Sequence, residues 1–408
     1  LIAFSIYFVM SHTAPMYSHI QHILDEVSLI TRENLSGVRV IRAFNQQDNE
    51  QKRFESTTTK QKEEQIIAGN LSAVLNPATT IIVNFGIIAI LYISGFKINA
   101  GSMTQGEVIS LINYMNQILL SMYVFANVIV ILNKASASYK RCADVLSQKP
   151  DIVQGINEAP SDYQNLITYD HVSFSYYSGN ALTDVSFNIL PGQTIGVIGG
   201  TGSGKTTLIN LIPRFYDVTE GEIRIKDLPI KSYKFKDLRN MIGIVPQQAT
   251  LFGGTIRENM QWGHPHATDE EIYEALELSQ SKEFVDKMTE GLDTYIEQGG
   301  KNVSGGQRQR LTIARALVKK PEILILDDSA SALDFATDAK LRKALSTLNM
   351  TVIIVSQRVS ALMHADSIVV LSHGEVVGQG THDMLMNTCD VYQEIVMSQM
   401  EGGQNNEE

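Results

Sequence analysis

Cysteine is scarce in this sequence, which has only two cysteines in 408 residues. Cys142 and Cys389 stand far apart without metal-ligand spacing, so we expect both to be reduced and to play no disulfide or metal role. The formal net charge of −11 argues against non-specific nucleic-acid binding as the main activity. A secretory signal layout is also lacking, because the chain starts with Leu1 inside an apolar run. We therefore expect a fragment of a longer protein.

Charged residues are missing from two long stretches, Gln65–Phe96 and Val108–Asn133. A helix that crosses a bilayer needs about 20 mostly apolar residues, and both stretches exceed that length. Leu1–Met10 resembles the end of a third span. The alternative is a set of buried core helices in a soluble protein, but such helices are usually shorter. We therefore predict about three membrane spans.

Basic residues are distributed unevenly around these stretches. Seven lie between Arg32 and Lys62, whereas the link between the two long stretches carries only Lys97. Because positive charge accumulates on the cytoplasmic side of membrane proteins, the segment Arg32–Lys62 is predicted to be cytoplasmic. The chain returns to the same side near Lys134, which places everything after it in the cytoplasm.

The segment Gly199–Thr206 fits the phosphate-loop pattern G-x-x-x-x-G-K-[ST]. It follows the apolar run Thr194–Ile198, a predicted strand, and precedes Leu208–Leu211, a predicted helix. Glycines in such a loop let backbone N–H groups point at phosphates, while the lysine reaches the β- and γ-phosphates and the last hydroxyl binds Mg²⁺. A glycine-rich turn without a ligand is the alternative. The predicted ATP contacts in the loop are Gly199, Gly200, Thr201, Gly202, Ser203, Gly204, Lys205, Thr206 and Thr207.

A second motif, Val303–Gln307, resembles the LSGGQ signature of ATP-binding cassette (ABC) proteins. It lies between the phosphate loop and an acidic strand, which is the order of motifs in that family. Ser304 is a favourable N-cap residue for a helix that continues through Leu317. The resemblance implies that the signature acts in trans, on ATP held by a partner subunit, through Ser304, Gly305, Gly306 and Gln307.

Further positions match the cassette family. Tyr176 ends Val172–Tyr176, which alternates like an edge strand, and it matches the aromatic residue that stacks on adenine. Gln247 matches the Q-loop glutamine that contacts Mg²⁺, with its neighbour Gln248 as the alternative. Asp334 matches the D-loop aspartate in Ser331–Asp334, which connects the two nucleotide sites. The resemblance therefore implies a Mg²⁺ site made by Thr206, Gln247 and Asp327.

Two positions depart from the pattern of active cassettes. The apolar strand Ile323–Leu326 ends in Asp327 and Asp328, where the family has aspartate and then the glutamate that polarises water. Asp328 shortens the reach by roughly 1.5 Å, against a hydrogen-bond window of about 2.6–3.2 Å. Gln357 replaces the switch histidine, and an amide cannot relay a proton as imidazole does. We therefore predict that the site with Asp328, Gln357 and Gln247 at its catalytic positions is degenerate.

The whole chain resembles a type IV ABC exporter: a multidomain protein with all-α transmembrane helices followed by an α/β P-loop NTPase that carries a helical subdomain. The expected layout is transmembrane domain 1–150 with a coupling helix near 33–46, linker 151–165, cassette 166–396 and acidic tail 397–408.

The resemblance implies a membrane-bound, ATP- and Mg²⁺-dependent ATPase that exports an amphipathic drug, lipid or peptide. Its implied partners are the lipid bilayer and a second exporter subunit in a heterodimer, with no nucleic acid. A homodimeric exporter with active sites is one alternative. A soluble ABC-type DNA-repair ATPase is the other.

Overall fold

The computed structural model describes residues 2–176, 179–329 and 332–404. The chain divides into two compact units, Leu1–Gln148 and Lys149–Glu408.

The N-terminal unit is built from helices alone in its described residues. Helix α1 packs along α3, and Ile23 and Ile30 of α1 and Ala68 of α3 are buried. Gly37 separates α1 from the short helix α2. The helices are α1 (Ile2–Ser36), α2 (Val38–Ala43), α3 (Gln47–Ala73), α4 (Leu75–Asn99) and α5 (Gln105–Ser147).

The segment Gln47–Asn99 is the one described helical stretch that is long and apolar enough to cross a membrane by length and composition. It is interrupted at Val74, and Pro77 follows within the first turn of α4, where a missing N–H costs no helical hydrogen bond. Phe85, Ile88 and Tyr92 are exposed on α4. Large apolar side chains on the outside of a helix suit contact with lipid rather than water. The other two predicted spans lie on α1 and α5.

The C-terminal unit is organised around a six-stranded sheet in the order β12-β11-β3-β10-β9-β6. Five of these strands are parallel, and only β12 runs antiparallel, to β11. The strands are β3 (Thr194–Gly199), β6 (Ile242–Val245), β9 (Ile323–Asp327), β10 (Thr351–Val355), β11 (Ser367–Ser372) and β12 (Glu375–Gly380).

The parallel strands of the main sheet are buried on both faces, as parallel sheets usually are, whereas the edge strand β12 is partly exposed. Along β9, Ile323 and Ile325 belong to one hydrophobic core cluster, whereas Leu324 and Leu326 belong to a second. Helix α11 contributes to the second cluster. The helices of the unit are α6 (Lys205–Leu211), α7 (Phe235–Asn240), α8 (Ile256–Gln261), α9 (Asp269–Leu278), α10 (Lys282–Asp286), α11 (Gly305–Val318), α12 (Phe335–Leu345), α13 (His382–Thr388) and α14 (Asp390–Gln404).

A smaller antiparallel sheet has the order β2-β1-β4-β5. The prediction that Val172–Tyr176 is an edge strand is therefore wrong, because β1 pairs with β2 on one side and with β4 on the other. Its alternating pattern reflects one face turned to the core. The remaining strands are β1 (Ile167–Tyr176), β2 (Gly179–Ile189), β4 (Glu220–Ile225), β5 (Leu228–Pro229), β7 (Gly254–Thr255) and β8 (Tyr295–Ile296).

Two helices of this unit begin at capping boxes. Thr268 caps α9 in a capping box with Glu271, and Ser304 caps α11 in the same way with Gln307. Helix α14 continues through residue 397 to Gln404, into the segment predicted as an acidic tail. The buried side chains Tyr392 and Val396 anchor this helix. Residues 405–408 of the tail lie outside the described residues.

The polar stretch expected as a linker, 151–165, contacts the cassette through its backbone. Gly155 N donates to Tyr233 O at 2.9 Å, and Asn157 N donates to Ser232 O at 2.9 Å. A Cβ at Gly155 would lie 2.1 Å from the carbonyl carbon of Ser232. The close approach of these two backbones therefore requires glycine.

Replacing Gly155 with alanine should lower the stability of the cassette by about 1–3 kcal/mol, the usual cost of overpacking. Gly179→Ala is the matched control, because a Cβ there would meet no atom within 4 Å. Thermal unfolding of the two purified full-length variants measures the difference. Equal melting temperatures would show that this contact does not stabilise the cassette.

Candidate nucleotide-binding site

Four parallel strands end at one edge of the main sheet, as parallel strands of such sheets do at a ligand crevice. The phosphate loop follows β3, Gln247 follows β6, Asp327 ends β9 and Gln357 follows β10. A cavity of about 330 Å³ opens at this edge. It is lined by Ala181, Thr201, Gly202, Ser203, Gly204, Lys205, Thr206, Thr207, Gln247, Asp327, Asp328, Val355, Ser356 and Gln357.

The phosphate loop has a backbone that only glycine accepts at two points. Gly204 has φ +97°, and a Cβ there would lie 2.6 Å from the carbonyl oxygen of Ala181. A Cβ at Gly199 would lie 2.2 Å from the carbonyl oxygen of Leu371. The loop is therefore held close to β2 and to β11, with its backbone turned toward the cavity.

The Lys205 ammonium lies across the inside of this loop. Its Nζ donates to Gly199 O at 2.8 Å and to Gly200 O at 2.6 Å, and the residue is only 8% exposed. Burial lowers the pKa of Lys205, and the carboxylates of Asp328 and Asp327 partly offset that effect. A buried cation on the wall of a polar cavity provides the charge that polyphosphate requires.

Asp327 and Thr206 face each other across the cavity floor. The Thr206 hydroxyl donates to the Asp327 carboxylate, which is 5% exposed. Burial raises the pKa of Asp327, and the neighbouring charge of Asp328 raises it further. A divalent cation would relieve this unfavourable burial of negative charge. The described residues contain no cluster of three or more His, Cys, Asp or Glu side chains suited to a metal ion. The pair of Asp327 and Thr206 nevertheless suits Mg²⁺, because this cation commonly binds through one or two carboxylates plus substrate phosphates.

Asp328 has an unusual backbone and a specific neighbour. Its φ is +46°, and its N–H donates to Val355 O at 2.8 Å. The Gln247 side chain donates a hydrogen bond to its carboxylate. Burial raises the pKa of Asp328, while the nearby Arg358 guanidinium and this hydrogen bond act in the opposite direction. Gln247, and not Gln248, lines the cavity.

Tyr176 lies apart from this cavity. Its ring makes edge contacts with Phe174 and Tyr216, and its hydroxyl oxygen is 3.4 Å from Thr207 Oγ1. A more open cavity of about 680 Å³ borders this aromatic cluster and includes Phe215. The cluster therefore adjoins the phosphate loop through Thr207. No motif in the sequence marks Tyr216 or Phe215.

The signature does not line the phosphate cavity of its own chain. Ser304 Oγ accepts from Gln307 N at 3.2 Å, and Gln307 Oε1 accepts from Ser304 N at 2.9 Å. A Cβ at Gly306 would lie 3.2 Å from Ala332 O, so the signature adjoins the D-loop. Asp334 caps α12 by accepting from Thr337 N at 3.0 Å. Ser331, the first predicted D-loop residue, lies outside the described residues.

Comparison with known proteins identifies the family. The ABC transporter family pattern matches residues 182–331, and the ABC transporter transmembrane region matches residues 1–122. An uncharacterized ABC transporter ATP-binding protein of Mycobacterium tuberculosis is 36% identical over 408 residues, covering 98% of this chain and 70% of the relative. This chain belongs to the ABC transporter family. It is a type IV ABC exporter half-transporter.

Other relatives agree with this assignment. The uncharacterized ABC transporter ATP-binding protein YfiB of Bacillus subtilis is 39% identical over 96% of this chain and 68% of its own length. YheI of the same organism, named "Probable multidrug resistance ABC transporter ATP-binding/permease protein", is 35% identical over 89% of this chain and 63% of its own length. The solved structure of a bacterial Atm1-family ABC exporter with ATP bound superimposes with TM-score 0.84 and 25% identity, covering 98% of this chain and 71% of that one.

The family assignment sets the general activity of the exporter. It is a membrane protein with its nucleotide-binding domain in the cytoplasm, and it couples ATP hydrolysis to transport with ATP and Mg²⁺. The glycine-lined loop, the buried Lys205 ammonium and the Thr206–Asp327 pair fit that ligand. The alternative of a soluble DNA-repair ATPase is wrong, because the chain carries a transporter transmembrane region.

Replacing Lys205 with alanine should weaken ATP–Mg²⁺ binding by roughly tenfold or more, since hydrogen bonds to charged groups contribute about 1.5–3 kcal/mol. Lys236→Ala, an exposed lysine on α7, is the control. Titration calorimetry of the full chain in detergent measures both affinities. If Lys205→Ala binds as tightly as Lys236→Ala, Lys205 does not hold the phosphates.

Proposed function

We propose that this chain is the subunit of a heterodimeric exporter whose own nucleotide site is degenerate. The observation that carries the proposal is the pairing of Asp328 and Gln357 on the wall of the cavity that also holds Lys205 and Asp327. Binding groups are retained in this cavity, whereas the two groups that would act on water and on the γ-phosphate are altered. Such a site should hold ATP–Mg²⁺ and turn it over slowly.

Asp328 is poorly suited to act as a general base. Its carboxylate is one methylene shorter than glutamate and is already engaged by the Gln247 side chain. Its position at φ +46° is fixed by the bond to Val355 O, so backbone movement cannot easily restore the lost reach. Loss of a well-placed base typically costs about 10²–10⁴ in rate.

Gln357 supports the same proposal. It follows β10 at the position of the family's switch histidine and lies on the cavity wall. Its amide can donate a neutral hydrogen bond to a γ-phosphate, but it cannot carry a charge or move a proton. The site therefore retains recognition without efficient proton transfer.

The signature gives this chain a second role. It is capped as the family requires, yet it lies outside the cavity of its own chain. We assign Ser304, Gly305, Gly306 and Gln307 to the ATP site of a partner subunit. We assign Asp334 to the D-loop that connects the two nucleotide sites. In its own site we assign Tyr176 to adenine and residues 199–207 to phosphate. Thr206, Asp327 and Gln247 are assigned to Mg²⁺.

The substrate class proposed is an amphipathic drug, lipid or peptide. Large apolar side chains are exposed along the predicted spans, including Phe85 and Tyr92 on α4. YheI, the relative whose name includes multidrug resistance, favours a drug-like compound. The short helix α2, within the predicted segment 33–46, is exposed and is proposed to couple the spans to a cassette.

A homodimeric exporter with two active sites is the second candidate. It is favoured by the retained carboxylate at Asp328, and it differs from the first candidate in one measurement. The full chain alone should bind ATP–Mg²⁺ but hydrolyse it slowly if its site is degenerate. Brisk turnover without a partner would support the homodimer.

Restoring the family residues with Asp328→Glu and Gln357→His should raise hydrolysis at this chain's site by roughly tenfold or more, because a base within reach is regained. Asp383→Glu with Gln379→His makes the same exchanges at exposed positions and should change nothing. ATP turnover is measured in a heterodimer whose partner carries an intact signature and a disabled phosphate loop. No rise over the control pair would contradict the degenerate-site assignment.

The two roles of the chain can be separated in a heterodimer with a wild-type partner. Gly306→Glu should nearly abolish turnover, because a carboxylate would meet the γ-phosphate at the start of α11. Asp328→Asn should cost much less, since its site is already slow. Asn349→Glu, on the surface, is the charge-matched control. Greater damage from Asp328→Asn than from Gly306→Glu would assign the hydrolytic site to this chain.

A further inference from the structure

The loop that carries Gln357 is held by a side chain from the last helix of the chain. Gln399, on α14, donates from Nε2 to Gln357 O at 2.7 Å. Its Oε1 accepts from Val359 N at 2.9 Å. One amide therefore engages both a carbonyl and an N–H of the same loop, on either side of Arg358.

The loop has few other backbone bonds to the rest of the cassette. Ser356 N donates to Val197 O at 3.2 Å, which continues the sheet, and Arg358 N donates to the neighbouring Ser356 hydroxyl at 3.0 Å. The Gln399 amide thus ties the loop to α14, whereas Arg342 on α12 donates to Ser360 O at 2.9 Å, beyond Val359. Because Gln357 and Arg358 both face the nucleotide cavity or its acids, the position of this loop matters to the site.

Helix α14 is anchored to the cassette by buried side chains. Tyr392 and Val396 are 0% and 3% exposed, and they place Gln399 one turn further along the helix, at the loop. Gln399 itself is exposed. An exposed glutamine adds little by burial, so its two bonds act mainly by fixing the loop.

We propose that Gln399 is a positioning residue for nucleotide recognition, which holds the Gln357 loop so that the Gln357 side chain meets the γ-phosphate. The inference rests on the proposed role of Gln357 in this chain's site. It extends the site to α14, a segment that carries none of the family motifs identified in the sequence. Because ADP lacks a γ-phosphate, ATP binding should depend on Gln399, whereas ADP binding should not.

The test compares ATP–Mg²⁺ and ADP–Mg²⁺ affinities of the full chain by titration calorimetry in detergent. Gln399→Ala should weaken ATP binding by roughly three- to tenfold, the effect of one or two lost hydrogen bonds, and leave ADP binding unchanged. Gln399→Glu keeps the acceptor for Val359 N but loses the donor, so it should also weaken ATP binding. Gln399→Asn has a shorter side chain that keeps the amide, so its ATP affinity should lie between those of the wild type and Gln399→Ala.

Gln393→Ala is the matched control, because Gln393 lies on the same helix and donates to Met386 O, away from the loop. It should leave both affinities unchanged. Thermal unfolding of each variant separates positioning from a general loss of structure. Equal weakening of ATP and ADP binding by Gln399→Ala would show a merely structural role and overturn the proposal.

A double-mutant cycle with Gln357→Ala separates this inference from the proposed function. Gln357→Ala should weaken ATP binding and leave ADP binding unchanged. Adding Gln399→Ala to the Gln357→Ala variant should weaken ATP binding no further, since the side chain that Gln399 positions is gone. If Gln357→Ala weakens ATP binding but Gln399→Ala does not, only the present inference fails. If Gln357→Ala has no effect, the proposed role of Gln357 fails and the inference fails with it. Full additivity would show that Gln399 acts by another route.

Discussion

The nucleotide site depends on the parallel register of β3, β10 and β9. Val355 of β10 pairs with Val197 on one side and with Asp327 on the other. This pairing brings the start of the phosphate loop, the acidic end of β9 and the loop with Gln357 to one level at one edge. Since side chains alternate across a strand, a one-residue slip would turn Asp327 away from the loop and into the core.

The buried charges of the site balance one another only in this arrangement. Lys205 and Asp327 are both poorly solvated. Burial lowers the pKa of Lys205 and raises the pKa of Asp327, and both shifts favour the neutral form. Each charge partly restores the ionised state of the other. Burial of these two charged groups is therefore unfavourable in the free cassette. Phosphates beside Lys205 and a divalent cation beside Asp327 would compensate the buried charges.

Local motifs in the sequence predicted which segments line the cavity, because their chemistry depends on neighbours in the chain. The glycines of 199–204 and the N-cap at Ser304 belong to this class. What failed or was missed depends on contacts between distant segments. β1 has a partner on each side, and Tyr216 packs against Tyr176. Alternation or polarity alone carries no information about such partners.

The two roles proposed for this chain require different degrees of precision. A signature can serve a partner's ATP if its helix start is capped and open, and the Ser304–Gln307 box fixes that end within four residues. A hydrolytic site needs a base, a γ-phosphate contact and a cation site aligned from three separate strands. Substitution can therefore weaken the second function while leaving the first intact. Under the proposed roles, this asymmetry accounts for Asp328 and Gln357 beside a complete phosphate loop: a site that binds ATP but hydrolyses it slowly would still favour whichever state of the exporter binds ATP more tightly.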